Sequence, residues 1–294
     1  MEEGGVTPMR GTKEIKRRIR SVTNTRQITK AMEMVAAAKL RKAQETAENA
    51  RPYAEKIKEV ISSIAAGTTG FSHPMLESRP VKKTGYLVIT SDRGLAGPYN
   101  SNLFRLVSAT LKERHASQDE YVLFVIGRKG REFFTKRNYP LVKAITDLSD
   151  NPSLEEIQEI STEAINMFAD QTFDKLVLFY NEFVNPMVQR PVEKQLLPLE
   201  SEDVLSGPTS TYDYEPDGET VLEVLLPKYA ETLIYSALLE AKASEFGARM
   251  TAMGNATDNA TEMIETLTLE YNKARQAAIT QEIAEVVGGA NALS

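Results

Sequence analysis

Residues 36–64 read AAAKLRKAQETAENARPYAEKIKEVISSI. Their apolar residues are spaced alternately three and four positions apart, which is the pattern of a coiled-coil seam: Leu40, Ala43, Ala47, Ala50, Ala54, Ile57, Ile61 and Ile64. The centre of this seam is alanine rather than leucine, so two helix axes can approach closely while each layer buries little apolar area. The stretch therefore predicts a long helix that packs along a second helix.

The second long helix is predicted at the other end of the chain, from residue 219 to residue 288. Pro227 is the only proline in that range, and Gly288 and Gly289 follow it as glycines commonly follow a helix. Its apolar stripe is broken and again rich in alanine. At about 1.5 Å per residue, roughly 70 helical residues span on the order of 100 Å. The middle of the chain is too small to cover that length, so we expect part of this helix to be enclosed by a partner protein.

The middle of the chain alternates short apolar runs with helical stretches. Strands are predicted at residues 85–91, 121–126, 141–146, 176–180 and 188–197, and helices open after Pro98, after Gly127 and at Leu154. Such alternation is typical of an α/β domain with a mostly parallel sheet. We expect three segments, 1–66, 67–218 and 219–294, with a surface linker at 200–218.

The composition excludes several classes of function. The net charge of −6 and the absence of a nucleic-acid reader motif argue against a nucleic-acid binder. There is no cysteine, hence no disulfide or thiol chemistry, and no apolar run long enough to cross a membrane. We expect a soluble, cytoplasmic chain. A basic run between residues 10 and 42 is either a solvated face or a match for an acidic protein surface.

One stretch of the middle segment is a candidate phosphate site. Residues 91–102 form a strand, a glycine-containing turn and the start of a helix, the arrangement that holds phosphates in dinucleotide-binding folds. However, the GxGxxG and GxxxxGK[ST] patterns are absent, so the sequence favours a tight structural turn. His73 and His115 have no predicted partner, and we identify no catalytic or metal-binding constellation.

Four sequence motifs occur in order along the chain. The first is ITKAMEMVAAAKLRKAQ at 28–44, and the second is TSDRGLAG at 90–97 followed by YNSN at 99–102. The third is RMTAM at 249–253 with ATDNA at 256–260, and the fourth is RQAAITQEIAE at 275–285 with GA at 289–290. Together they resemble the ATP synthase gamma subunit family, with a bacterial, Bacillus-like character. Residues 1–8 extend beyond the usual start of the family, and Met9 is a candidate initiator.

The resemblance implies an α/β fold class, with an antiparallel coiled coil of the two terminal helices and a central Rossmann-like domain. It implies a central-stalk rotor that couples ion flow through the c-ring to ATP synthesis or hydrolysis. The partners would be the alpha and beta subunits, the epsilon subunit and the c-ring. ATP, ADP and Mg²⁺ would bind only to partner subunits, so the chain itself would carry no cofactor and no catalytic site. It would lie at the cytoplasmic face of the cell membrane and touch the membrane only through the c-ring.

The resemblance also implies contact or coupling roles for particular residues. Met32 matches the family position that faces the beta subunits, and Arg249 matches an arginine linked to coupling. The full set of expected interface positions is Lys30, Met32, Arg41, Arg249, Arg275, Gln276, Thr280, Glu282 and Glu285. For each of them, plain helix packing is the competing interpretation.

Two alternative functions stay open at the level of sequence. One is a doubly wound nucleotide-binding protein that uses residues 91–102. The other is a free-standing coiled-coil scaffold that dimerises through its own ends.

Overall fold

The computed structural model describes residues 11–67, 73–199, 215 and 217–292, apart from the side chains of 65–67 and 289–292. The linker predicted at 200–218 lies almost wholly outside these residues, as do residues 1–8 and Met9. The helices and strands are α1 (Thr12–Gly67), β1 (Thr84–Ile89), α2 (Tyr99–Arg114), a 3-10 turn (Gln118–Glu120), β2 (Tyr121–Ile126), α3 (Arg128–Thr135), β3 (Leu141–Ile145), α4 (Leu154–Ala169), β4 (Lys175–Asn185), β5 (Val188–Leu197) and α5 (Gly218–Ala292).

The chain forms two compact units. One comprises Met1–Met34 with Ala252–Ser294, and the other comprises Val35–Thr251. Each long terminal helix contributes residues to both units. The division at residues 66 and 218 that the sequence suggested stays a prediction.

The larger unit is built on a five-stranded sheet with the order β3-β2-β1-β4-β5. The first four strands of that order are parallel, and β5 pairs antiparallel with β4 as a hairpin. All six residues of β1 and all six of β2 are buried. Continuous apolar runs of this kind suit strands covered on both faces.

Helices cover the two faces of the sheet. One face packs Tyr86 and Val88 of β1 against Leu103 and Val107 of α2. The other face packs Leu87 and Ile89 against a larger cluster from α1, α4 and α5. Ser153 and Glu156 form a capping box that fixes the start of α4. The helix begins at Leu154, as the sequence predicts.

In the larger unit the two long helices pack antiparallel. Ile61 of α1 lies in one buried cluster with Leu226 and Ile234 of α5. Earlier in α1, Leu40 and Ala43 pack with residues later in α5, Ala243 and Phe246. Ascending positions in one helix therefore meet descending positions in the other.

The smaller unit contains the early part of α1 and the late part of α5, also antiparallel. The hydroxyl of Thr257 donates to the hydroxyl of Thr29 at 2.8 Å. Four residues further along α1, the carboxyl carbon of Glu33 lies 3.7 Å from where a Cβ of Gly254 would stand. Small side chains at these positions allow the close approach expected from the alanine-rich seam. The predicted fold class is confirmed.

Candidate functional site

The turn after β1 satisfies its polar groups with its own side chains. The amide of Ser91 donates to Oδ1 of Asn100 at 3.1 Å, and Nδ2 of Asn100 donates to Oγ of Ser91 at 2.7 Å. Oδ1 of Asp92 accepts from the amide of Arg128 at 2.8 Å and from the amide of Asp147 at 2.9 Å. Asp92 therefore joins this turn to the start of α3 and to the loop after β3. At the start of α2, where a phosphate at residues 91–102 would bind, the amide of Tyr99 already donates to the carbonyl oxygen of Ala96 at 3.2 Å.

The crevice at the carboxyl ends of β1 and β4 is where ligands bind in doubly wound sheets. Here α5 lies against it. The hydroxyl of Tyr99 donates to the carbonyl of Ala241 at 2.9 Å, and Nδ2 of Asn181 donates to the carbonyl of Tyr99 at 3.2 Å. Complete burial raises the pKa of Tyr99 far above its usual range, so its hydroxyl keeps its proton and acts as a donor. This geometry favours a structural turn over a phosphate site at residues 91–102.

Arg249 is buried in this crevice rather than presented on the surface. Its Nη2 donates to Oε1 of Glu245 at 2.7 Å, and both side chains are nearly covered, at 11% and 6% exposure. The same nitrogen lies 3.3 Å from the carbonyl oxygen of Arg93 and 3.4 Å from that of Gly94. Arg249 thus joins α5 to the turn after β1. The sequence places Tyr99 in a family motif without assigning it a contact, and it does not single out Asn181 or Glu245. The polar Glu245 interrupts an apolar stripe and is the signal that could have found this cluster.

The candidate residues of α1 lie on its surface. Lys30 is exposed and forms an ion pair with Glu33 at 3.2 Å, Met32 is half-buried, and Arg41 is exposed. The exposed pair contributes little to stability because water screens it and two long side chains must be ordered.

The remaining candidates lie together on the exposed late part of α5: Arg275, Gln276, Thr280, Glu282 and Glu285. The hydroxyl of Thr280 donates to the carbonyl of Gln276 at 2.9 Å within the helix. Within the part of the chain that the structure describes, no hydrogen bond or ion pair links these residues to α1. Their interface roles stay predictions.

Large apolar side chains on this part of α5 are also exposed. Ile279, Ile283 and Val287 are about half exposed, and Val286 is 72% exposed. Residues 275–288 are in fact exposed on every side of the helix. Ile279, Ile283, Val286 and Val287 follow the i, i+4, i+7 and i+8 spacing of one helix face. An exposed apolar stripe of this kind indicates a surface that another protein covers. The sequence predicts that part of this helix is enclosed, but it does not single out these residues.

The expectation that the two histidines lack partners is wrong. Nε2 of His115 lies 2.8 Å from the hydroxyl of Tyr86, and its Nδ1 lies 3.5 Å from Glu120. Nδ1 of His73 accepts from the amide of Met75 at 3.2 Å. Local spacing could not reveal the first contact, because it joins β1 to the end of α2.

Among the described residues, no group of three or more histidine, aspartate or glutamate side chains could hold a metal ion. No helix in the described ranges is long and apolar enough to cross a membrane.

The α/β domain with two long antiparallel helices, one of them exposed at its end, defines the class of shaft proteins that work inside an assembly. A sequence profile described as "ATP synthase" matches residues 11–293. An ATP synthase gamma chain from Brevibacillus brevis is 62% identical over 283 residues, covering 96% of this chain and 99% of that protein. The chain therefore belongs to the ATP synthase gamma chain family, and the resemblance seen in the sequence is confirmed.

Solved structures agree with this assignment. A chain from the central stalk and c-ring of the Tetrahymena thermophila mitochondrial ATP synthase is 28% identical, with a TM-score of 0.60 over 78% of this chain and 99% of that chain. A chain from the Euglena gracilis mitochondrial ATP synthase rotor is 17% identical, with a TM-score of 0.65 over 91% of this chain and 98% of that chain. At that identity the second similarity shows the fold alone. Family membership favours neither the nucleotide-binding alternative nor the free-standing scaffold.

Proposed function

We propose that this chain works as the central-stalk rotor of an F-type ATP synthase, coupling ion flow through a c-ring to ATP synthesis or hydrolysis. The observation that carries the proposal is the exposed end of α5, where apolar residues form a stripe along a helix that belongs to a family of stalk subunits. A ring of alpha and beta subunits would cover this surface. The epsilon subunit and the c-ring would hold the α/β domain.

The chemistry would take place on the partner subunits. ATP, ADP and Mg²⁺ would bind there, and this chain would act as a non-catalytic subunit. The self-satisfied turn at residues 91–98 supports this division, because the amide of Tyr99 at the start of α2 is already bonded to the carbonyl oxygen of Ala96. The chain would lie peripherally at the cytoplasmic face of the cell membrane and contact the membrane only through the c-ring.

The contact surfaces follow from exposure and charge. Lys30 and Arg41 on α1 would face acidic segments of the beta subunits, and Met32 would pack against the same subunits. On α5 the contacts would come from Arg275, Gln276, Thr280, Glu282 and Glu285. Arg249 is buried, so its effect on coupling would be transmitted through the chain itself.

Reconstitution tests the proposal directly. We would measure ATP hydrolysis by alpha and beta subunits from the same source, with and without this chain, together with the mass of the complex. A single large complex that contains one copy of the chain and sustains faster hydrolysis is the expected result. A chain that stays separate and leaves hydrolysis unchanged would refute the rotor assignment.

Introducing a positive charge at position 32 tests the Met32 contact. We expect Met32→Lys to reduce ATP-driven proton pumping while ATP hydrolysis continues, because a cation would be placed where a half-buried methionine packs. Met187→Lys is the matched control, since Met187 is 79% exposed on the β4–β5 hairpin. Unchanged pumping in the Met32 variant would remove this residue from the interface.

A further inference from the structure

One segment of α5 is enclosed on every side within the larger unit. The nine residues from Ala241 to Arg249 are all buried. Successive helical residues are rotated by about 100°, so nine of them cover the whole circumference. The enclosed segment includes the charged side chains Lys242, Glu245 and Arg249. A simple amphipathic helix would bury only one stripe.

The first wall around this segment is the turn after β1 together with Tyr99, the first residue of α2. Tyr99 donates to the carbonyl of Ala241 at 2.9 Å at one end of the segment. Arg249 reaches the carbonyl oxygens of Arg93 and Gly94 at the other end, at 3.3 and 3.4 Å. Between these contacts, Ala96 and Tyr99 pack on Ala248. The turn therefore holds α5 at two levels about two helical turns apart.

The second wall is the tip of the β4–β5 hairpin. The amide of Phe183 donates to Oε1 of Glu240 at 3.3 Å, and the hydroxyl of Thr251 donates to the carbonyl of Pro186 at 2.8 Å. A Cβ on Gly247 would lie 3.2 Å from the ring of Phe183 and 3.3 Å from Cα of Pro186. The hairpin can therefore approach α5 closely at Gly247, because glycine has no side chain.

The third wall is α1 with the loop before α4. Leu40 and Ala43 pack on Ala243 and Phe246. Nζ of Lys39 lies 5.8 Å from the centre of the Phe246 ring and 2.6 Å from Oδ2 of Asp150. Apolar packing therefore dominates this side, whereas hydrogen bonds dominate the other two.

We propose that these three walls form a collar that fixes the rotational setting of α5 and transmits torque between the α/β domain and the shaft. Apolar contacts are non-directional and allow a helix to turn about its axis, but directional hydrogen bonds on two sides do not. Tyr99 and Thr251 are the positioning residues, because each bonds α5 to a different wall. The inference rests on the proposed rotor function.

The collar itself can be tested in the free full-length chain. The double variant Tyr99→Phe/Thr251→Val removes one hydrogen bond from each of two walls and keeps the shape of both side chains. Ile234→Val is the control, because Ile234 is fully buried in α5 but contributes to the main core and not to the collar. Thermal unfolding measures the overall stability loss of each variant.

Hydrogen exchange then locates the effect. We expect amide exchange over residues 241–251 to rise about tenfold in the double variant and to stay near the parent value there in Ile234→Val. Exchange that rises equally throughout the unit, or not at all over 241–251, would overturn the collar.

The mechanical role is tested in the assembled ATP synthase. We expect the double variant to keep ATP hydrolysis by the detached alpha–beta–gamma complex within about twofold of the parent, because that rotation works against almost no load. ATP synthesis driven by a proton gradient should fall at least about fivefold. The Ile234→Val enzyme should retain both activities.

The outcomes separate the collar from the rotor proposal. If the parent chain does not assemble with alpha and beta subunits, the rotor function fails, while the exchange experiment still reports on the collar. If assembly succeeds and the double variant keeps its ratio of synthesis to hydrolysis, the collar has no mechanical role. An equal loss of synthesis in Ile234→Val would show that general stability, and not rotational setting, limits the enzyme.

Discussion

The buried pair of Glu245 and Arg249 provides a sharp test of the site. Arg249→Met leaves the carboxylate of Glu245 only 6% exposed and without its cation. Removing one partner of a buried pair costs about 3–5 kcal/mol of unfolding free energy. Glu245→Gln keeps an acceptor for the guanidinium, so we expect a smaller loss of about 1.5 kcal/mol.

The double variant Arg249→Met/Glu245→Gln removes both charges and therefore leaves no buried charge without a partner. We expect it to lose about 2 kcal/mol, which is about 3 kcal/mol less than the sum of the two single losses. Urea unfolding of the free chain, followed by circular dichroism, measures all four free energies. Losses that add to within about 0.5 kcal/mol would refute the reasoning, because the two groups would then not depend on each other.

An exposed pair on α1 is the matched control. Arg51 and Glu55 have the same spacing of four residues and the same nitrogen–oxygen distance of 2.7 Å, in the reverse order. Their side chains are 78% and 63% exposed. We expect almost no coupling between them, since water screens the charges. Equal coupling in both pairs would mean that burial is not what strengthens the pair in α5.

Three further changes test local features of the larger unit. The hydroxyl of Ser244 is buried without a hydrogen-bond partner among the described residues, so Ser244→Ala should stabilise the chain by about 1 kcal/mol in urea unfolding. Ser161→Ala should not stabilise it, because Oγ of that buried serine donates to the carbonyl of Ile157 at 3.0 Å. Gly127 has φ +104°, and a Cβ there would lie 2.2 Å from the carbonyl oxygen of Thr90. Gly127→Ala should therefore cost more than about 4 kcal/mol or prevent folding, whereas an alanine at Gly94, which faces open space, should change stability by less than about 0.5 kcal/mol. Burial lowers the pKa of His115 below the usual value of about 6.5. The stabilisation of the folded chain by neutral His115 is thus fully present above that value. It is lost as the pH falls towards the folded-state pKa, because the unfolded chain takes up the proton more readily. The melting temperature of His115→Gln should fall less than that of the parent chain between about pH 7.5 and 5.5, and an equal fall would contradict this reasoning. A stabilising Ser161→Ala would contradict the argument about Ser244. A harmless Gly127→Ala would contradict the argument about the backbone at Gly127.

The sequence by itself determined the elements and the family. The heptad-like spacing of Leu40 to Ile64 and the apolar runs at β1 and β2 are local signals, because one periodicity decides helix and another decides strand. The four family motifs likewise needed no three-dimensional information. The start of α4 followed from the capping residues before Leu154.

The tertiary structure alone decided which side chains meet. Tyr99 and Ala241 are far apart in the chain and carry no local sign of their contact, and neither do His115 and Tyr86. Arg249 could be placed on α5 from the sequence, but only the fold showed that it is buried beside Glu245 and the turn after β1. Helical periodicity identifies the face of a residue and not what covers that face, because burial depends on elements distant in the sequence. For the same reason, the enclosed segment 241–249 and the exposed end of α5 look alike in sequence and differ completely in surroundings.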